Sequence, residues 1–240
     1  MDCVEAFVLH ARAYRESSQL VELLSVEHGR IGVLTRGNRG AKRATPLQPF
    51  RRYRIALSGR GELRRAGSSE AIGAPQLLAG HALYAALYLN ELLVRLLHRD
   101  VPVPGVVDLY AATLARLDAG AELEPVLRLF EKQLLDELGY GHRYGETIDG
   151  GPVVAGRLYT FEPEYGVREA PPGLPAERCH AGAALLALDA DDYAALDPAT
   201  LHDAKRLMRE ALAPYLGNKP LNSRALFRRV RNPQDDVPGD

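Results

Sequence analysis

The sequence predicts an α+β chain in two parts: an N-terminal OB-fold β-barrel over residues 1–78 and a mainly α-helical domain over residues 79–240. Three observations predict it. Short runs of alternating apolar residues separated by turn signals fill the first 75 or so positions, the hydrophobic period becomes helical from Leu77 onward, and positive charge is concentrated in the first part. Five short strands in under 80 residues suit a small closed barrel.

In the first part, Val4–His10 alternates, with Ala6, Val8 and His10 assigned to one face and Phe7 and Leu9 to the other. Ser18–Val26 supplies Leu20, Val21, Leu23 and Leu24. Glu27-His28-Gly29-Arg30 is a tight turn into Arg30–Arg36, where Ile31, Val33 and Thr35 share a face. The segment from Arg36 to Arg43 has no apolar residue able to bury it and is expected to be an exposed basic loop. Phe50–Leu57 returns to a strand pattern that sets Phe50, Arg52, Arg54 and Ala56 against Arg51, Tyr53, Ile55 and Leu57. Ser58-Gly59-Arg60-Gly61 turns the chain into Glu62–Ala66.

In the second part, Leu78–His98 is apolar around most of its circumference and reads as a central helix packed on several sides. Glu122-Leu123-Glu124-Pro125 sets acids and a first-turn proline before Leu127, Phe130, Leu134 and Leu138, and Gly139 ends that helix. Residues 140–180 hold many of the glycines and prolines and form an irregular excursion, with a β-hairpin at Gly156–Val167. Thr200 is placed as an N-cap with Asp203 three residues later. From there Leu201, Ala204, Leu207, Met208, Ala211, Leu212 and Tyr215 continue one stripe to a stop at Gly217. The tail after Pro233 is expected to fray.

Net charge is −1 over 240 residues, but residues 1–78 carry 13 Lys/Arg against 7 Asp/Glu and the remainder is net negative. Between Arg30 and Arg65 there are 11 basic residues and one acid, Glu62. Such a concentration on a β unit, with Phe50 and Tyr53 interleaved, is a polyanion footprint: cations for phosphates and rings for base stacking. The residues assigned to nucleic-acid contact are Arg36, Arg39, Lys42, Arg43, Arg51, Arg52, Tyr53, Arg54, Arg64 and Arg65. The alternative is plain solvated charge, and Tyr14, Phe50 and Tyr53 serve equally well as core; Phe50 and Tyr53, an odd number apart, cannot both face out of one strand.

Other classes are disfavoured. No run approaches a membrane span, since the richest, Leu83–Leu97, is interrupted by Asn90, Glu91 and Arg95. The start of the chain lacks a basic and an apolar secretory region, so a cytoplasmic location is expected. The two cysteines, Cys3 and Cys179, fit reduced thiols. The glycine-containing loop at 36–43 is not followed by Gly-Lys-Ser/Thr, and neither Gly-x-Ser-x-Gly nor His-Glu-x-x-His occurs, so no enzymatic activity is expected. His142, Cys179 and His180 lack paired ligand spacing, and no metal or other cofactor is assigned. A second basic zone gathers Lys205, Arg206 and Arg209 with a C-terminal arm in which Leu221, Leu226 and Phe227 alternate with Lys219, Arg224, Arg228 and Arg229; it would suit an acidic peptide ending in an apolar residue.

Seven tracts, in order, resemble the bacterial RecO family: Ala6–His10, the Gly29-Arg30 turn, Arg36-Gly37-Asn38-Arg39, Leu47-Gln48-Pro49-Phe50, Leu87–Leu93, Leu138-Gly139-Tyr140-Gly141 and Tyr215–Arg228. The resemblance covers nearly the whole chain. It implies an OB-fold followed by a helical domain, binding of single- and double-stranded DNA, annealing of complementary strands, and action with RecR to place RecA on DNA coated by single-strand-binding protein (SSB). It implies also a pocket on the helical domain for the acidic C-terminal tail of SSB, assigned to Arg128, Lys205, Arg206 and Arg209. Some family members carry four cysteines in a zinc module of the second domain; here only Cys179 stands in that region, so the excursion is expected as a cysteine-poor, metal-free counterpart. Two rival readings are an adaptor that docks SSB or another acidic partner without significant DNA activity of its own, and a hydrolase within residues 140–180.

Overall fold

The computed structural model describes residues 2–15, 18–36, 46–59, 61–193, 196–223 and 226. They fall into two compact units, one running to Gly120 and including the chain from Lys219, the other spanning Ala121–Asn218.

Five strands open the first unit: β1 (Asp2–Tyr14), β2 (Ser18–Ser25), β3 (Gly29–Arg36), β4 (Arg52–Ser58) and β5 (Leu63–Ile72). They close into a barrel in the order β1-β2-β3-β5-β4, antiparallel except for the parallel pairing of β3 with β5. The predicted OB-type barrel is present. Its interior is filled by Val4, Ala6, Val8, Val21, Leu23, Ile31, Val33, Leu47, Tyr53, Ile55 and Leu57. Alternation places each of these inward except Leu47, which comes from the chain leading to β4, and β-branched residues supply much of the filling because they pack well on a pleated surface.

β1 departs from simple alternation. Its register against β2 shifts between Val8 and His10. This bulge inserts one extra residue, so Leu9 is buried outside the barrel lumen and His10 turns to solvent, where uninterrupted alternation had put it with Ala6 and Val8. Beyond the bulge β1 continues four residues further than the predicted strand. Gly29 is required at the β2–β3 turn by its φ of +63° and by crowding, since a Cβ there would collide with the Val101 carbonyl.

The barrel is covered on one side by α1 (Gly80–Leu96) and α2 (Pro104–Asp118). α1 is the predicted central helix. α2 was not assigned from the sequence, although Pro104 at its first turn and the spacing of Val106, Val107, Tyr110, Leu114 and Leu117 signal it. The two helices are tied to β1 through Asn90, which is 4% exposed. Asn90 Nδ2 donates to the Leu9 carbonyl at 2.6 Å and its Oδ1 accepts from the Tyr110 hydroxyl at 2.6 Å, while the Tyr110 ring meets Phe7 edge-on at 5.2 Å. Asn90→Ala strands both partners in an apolar setting and is expected to cost about 2–3 kcal/mol, read as a lower urea midpoint. An unchanged midpoint would show that the bulge does not depend on this side chain. The same unit holds the start of the C-terminal arm: Glu91 accepts from the backbone N–H groups of Asn222 and Ser223 at 2.9 and 2.8 Å, and Leu221 is buried. The rest of the arm, apart from Leu226, and the tail after Pro233 lie outside the described residues.

The second unit consists of α3 (Leu123–Glu137), a three-stranded sheet of β6 (Leu158–Glu162), β7 (Gly166–Glu169) and β8 (His180–Ala181), then α4 (Gly182–Ala190) and α5 (Pro198–Leu216). The predicted hairpin in the 140–180 excursion is β6–β7, and β8 extends it with order β7-β6-β8. α4 was not foreseen. α5 begins earlier than predicted: Asp197, not Thr200, is the N-cap, and its carboxylate accepts from the N–H groups of Ala199 and Thr200 at 2.8 and 3.1 Å. Pro198 occupies the first position, where its missing donor is harmless. The predicted apolar stripe is otherwise kept, with Ala204, Leu207, Met208, Ala211 and Leu212 buried. Among the described residues, no helix is long and apolar enough to cross a membrane.

Candidate nucleic-acid interface

The barrel register sorts its cations into two groups. Residues opposite one another across a sheet share a face, so a row on the outer surface can be read directly from the pairings. Arg12 lies opposite Leu20, Leu20 opposite Leu34, and Leu34 opposite Arg65. In the next row Tyr14 lies opposite Ser18, and Ser18 opposite Arg36, the last residue of β3. Arg12, Tyr14, Arg15 and Arg65 are exposed, and Leu20 and Leu34 are half-buried between them. Arg12, Arg15 and Arg65 have no carboxylate partner among the described residues.

In the second group Arg52, Arg54 and Arg64 are paired with carboxylates within the fold. Arg52 Nη2 lies 2.8 Å from Glu5 Oε2 and Arg54 Nη2 lies 2.9 Å from Glu5 Oε1, so one carboxylate serves two guanidinium groups. The hydrogen bond and charge of Glu5 push the Arg54 guanidinium pKa up, and Glu70, opposite Arg54 on β5, adds to that. Arg64, on the row of inward-facing Val33, pairs with Asp100 at 2.5 Å. Arg51 is half-buried with its guanidinium carbon 5.9 Å from the Tyr53 ring centroid.

Tyr53 requires a correction. Its ring is 6% exposed inside the barrel, and its hydroxyl accepts from the Gln48 backbone N–H at 3.2 Å, so it is a core residue and not a base-stacking one. Phe50 precedes β4, half-buried, with a φ of +67°. Arg39, Lys42 and Arg43 lie outside the described residues. Arg12 and Arg15 were not assigned, and Tyr14 was weighed equally as core, because the predicted first strand stopped at His10. The signal was present: Arg12 and Tyr14 continue the alternation of a bulged strand, with polar residues outward.

The zone assigned to an acidic peptide is likewise bound up in its own carboxylates. Arg128 is 3% exposed and Glu131 1% exposed. Arg128 Nε donates to Glu131 Oε2 at 2.8 Å, Nη2 to Glu131 Oε1, and Nη1 to Glu124 Oε2 at 2.9 Å. Lys205 reaches Glu124 Oε1 at 2.5 Å. Arg206 donates to Asp203 and to the carbonyls of Glu177 and Cys179. Arg209 is exposed and its charge helps lower the pKa of Glu124. Arg128 therefore belongs to the packed interior of this unit and cannot touch a docked peptide directly.

The three residues considered as ligands are held by neighbours. His180 is buried with Nδ1 2.8 Å from Asp203 Oδ1 and Nε2 3.1 Å from Glu210 Oε2. Cys179 is buried with its thiol 3.5 Å from the Pro175 carbonyl, and His142 packs edge-on against Phe161 at 5.0 Å. Among the described residues no group of three or more His, Cys, Asp or Glu side chains is arranged to hold a metal ion. Burial opposes charge on Asp203, but bonds from His180, Arg206 and the Ala181 N–H outweigh it and hold the carboxyl below its ordinary range. A depressed folded-state pKa gives stability that is complete above the unfolded carboxyl pKa, about 3.9, and is lost as pH falls through the lower folded value. Urea midpoints taken from pH 7 down to 3 are expected to fall at the acid end, and to fall less in Asp203→Asn; parallel curves would remove Asp203 from the account.

Two family profiles match this chain: that for the recombination protein O N terminal over residues 1–74 and that for the recombination protein O C terminal over residues 77–225. Proteins named DNA repair protein RecO are similar over nearly the full length. The one from Pseudomonas paraeruginosa is 45% identical over 95% of this chain and 96% of its own. That from Pseudomonas entomophila is 44% identical over 93% and 96%, and that from Stutzerimonas stutzeri 43% over 96% and 95%.

Proposed function

Because this chain belongs to the RecO family of DNA repair proteins, we propose that it acts as a recombination mediator that binds single- and double-stranded DNA and anneals complementary strands. With RecR, it would promote loading of RecA onto SSB-coated single strands. The observation that carries this reading is the outer barrel row of Arg12 and Arg65, exposed and without a carboxylate partner among the described residues, with Arg15 just beyond the end of β1. Cations already paired with carboxylates gain little from a phosphate, whereas unpaired ones release the condensed counterions of the nucleic acid and gain affinity. Two strands held on such surfaces approach with their mutual repulsion reduced, and base pairing then completes the reaction without a covalent step.

Annealing of two complementary labelled oligonucleotides, followed by energy transfer without nucleotide, is expected to be accelerated by the protein. No acceleration together with no DNA affinity would transfer support to the adaptor reading. Docking of the SSB tail on Lys205, Arg206 and Arg209 belongs to the same proposal. The tail would have to compete with Glu124 and Asp203 for these cations, and Arg128 would contribute only by fixing Glu124 and Glu131. Capture of SSB that is abolished by removing its tail, and weakened by Arg209→Glu, is the expected result; capture indifferent to the tail would overturn this part.

A further inference from the structure

We infer that the end of β1 is the single-strand-selective part of the interface, with Tyr14 stacking on an unpaired base while Arg12 and Arg15 hold the flanking phosphates. The inference rests on the DNA-binding reading above and adds to it which form of DNA this end of the barrel prefers.

Tyr14 closes β1 opposite Ser18, and it is 36% exposed, unlike the buried Tyr53. Arg15, the next residue, adopts a left-handed conformation with φ +54°, and its guanidinium carbon sits 5.2 Å from the Tyr14 ring centroid. A left-handed arginine is uncommon, and here the turn sets a cation beside an exposed ring. On the adjoining row, Arg12 and Arg65 flank the half-buried Leu20 and Leu34. The surface thus combines a ring, an apolar floor and cations that have no carboxylate partner among the described residues. An unpaired base has both faces available, so it can stack on Tyr14 while its phosphates meet the guanidinium groups. In a duplex the base faces are already stacked on one another, and a ring reaches them only after a base is unstacked. Duplex DNA can therefore use the cations but not the ring.

The chain contains no tryptophan, so Tyr14→Trp creates a single indole at the site. Binding of an unlabelled single-stranded oligonucleotide is expected to quench its emission, and binding of a duplex, saturated as judged by anisotropy with a labelled copy, is not. Tyr14→Ala is expected to lower the ratio of single-strand to duplex affinity by about 5- to 100-fold, the range for loss of one base–aromatic stack, and Tyr14→Phe to restore it. Anisotropy showing single-strand binding with no quench and an unchanged ratio would overturn the inference while leaving the DNA-binding reading intact. Absence of binding to either DNA by the unsubstituted protein would overturn both.

Discussion

Arg128→Ala is expected to destabilise the protein by about 3–5 kcal/mol, because it leaves the Glu131 carboxylate buried without its counter-ion. The pair is bidentate and both partners are almost fully buried on one face of α3. Two charges out of water are tolerated only when each satisfies the other, so removing one exposes the full desolvation cost of the survivor. The loss is local to the α3–α5 unit, where Glu124 further ties Arg128 to Lys205 of α5. Urea unfolding of Arg128→Ala checks it, with Arg128→Met/Glu131→Leu as the companion. The double variant is expected to regain most of the loss, since apolar residues of similar size remove both charges together. A single variant as stable as the original would mean that the pair is replaced by water and is not a keystone of this unit.

Arg12→Glu combined with Arg65→Glu is expected to weaken single-strand binding on the order of 10- to 100-fold near 0.1 M salt and to flatten its dependence on salt. Both residues are exposed at the surface, so the thermal midpoint should hardly move. The informative control is Arg54→Glu. Arg54 already shares Glu5 with Arg52, and its reversal should cost less affinity than either member of the Arg12 and Arg65 pair. Equal losses at all three positions would mean that affinity follows total charge and that internal pairing does not select the binding face.

Much of this molecule was readable in the sequence because its cause is local. Alternation in β4 placed Tyr53, Ile55 and Leu57 on one side, and all three are in the barrel core. Gly29, Gly139 and Gly217 marked ends that the chain uses. The stripe from Ala204 to Leu212 gave the buried face of α5. Two helices, α2 and α4, were passed over. For α2 the periodicity was present, whereas Gly182–Ala190 is apolar nearly all round and gives little periodic signal.

The site was less legible, for a physical reason. A count of basic residues cannot tell a free cation from a neutralised one when the counter-charge comes from far along the chain. Glu5 precedes Arg54 by 49 positions and Asp100 follows Arg64 by 36; the pairing of β1 with β4 brings the first pair together, and the docking of the α1–α2 connection on the barrel brings the second. The same holds for Tyr14. It becomes an exposed ring on a basic row because the bulge after Val8 resets the facing of everything beyond it in β1. One extra residue in a strand moves all later side chains to the other face, and sequence alternation alone does not announce where that happens.

Fluorescence anisotropy of a labelled single-stranded oligonucleotide, titrated with the protein at several salt concentrations without nucleotide or metal, decides whether the barrel surface binds DNA through the cations that have no carboxylate partner among the described residues. Tight binding is expected, with a binding constant whose logarithm falls steeply and linearly with the logarithm of salt concentration. No binding even at low salt, or binding indifferent to salt, would contradict it.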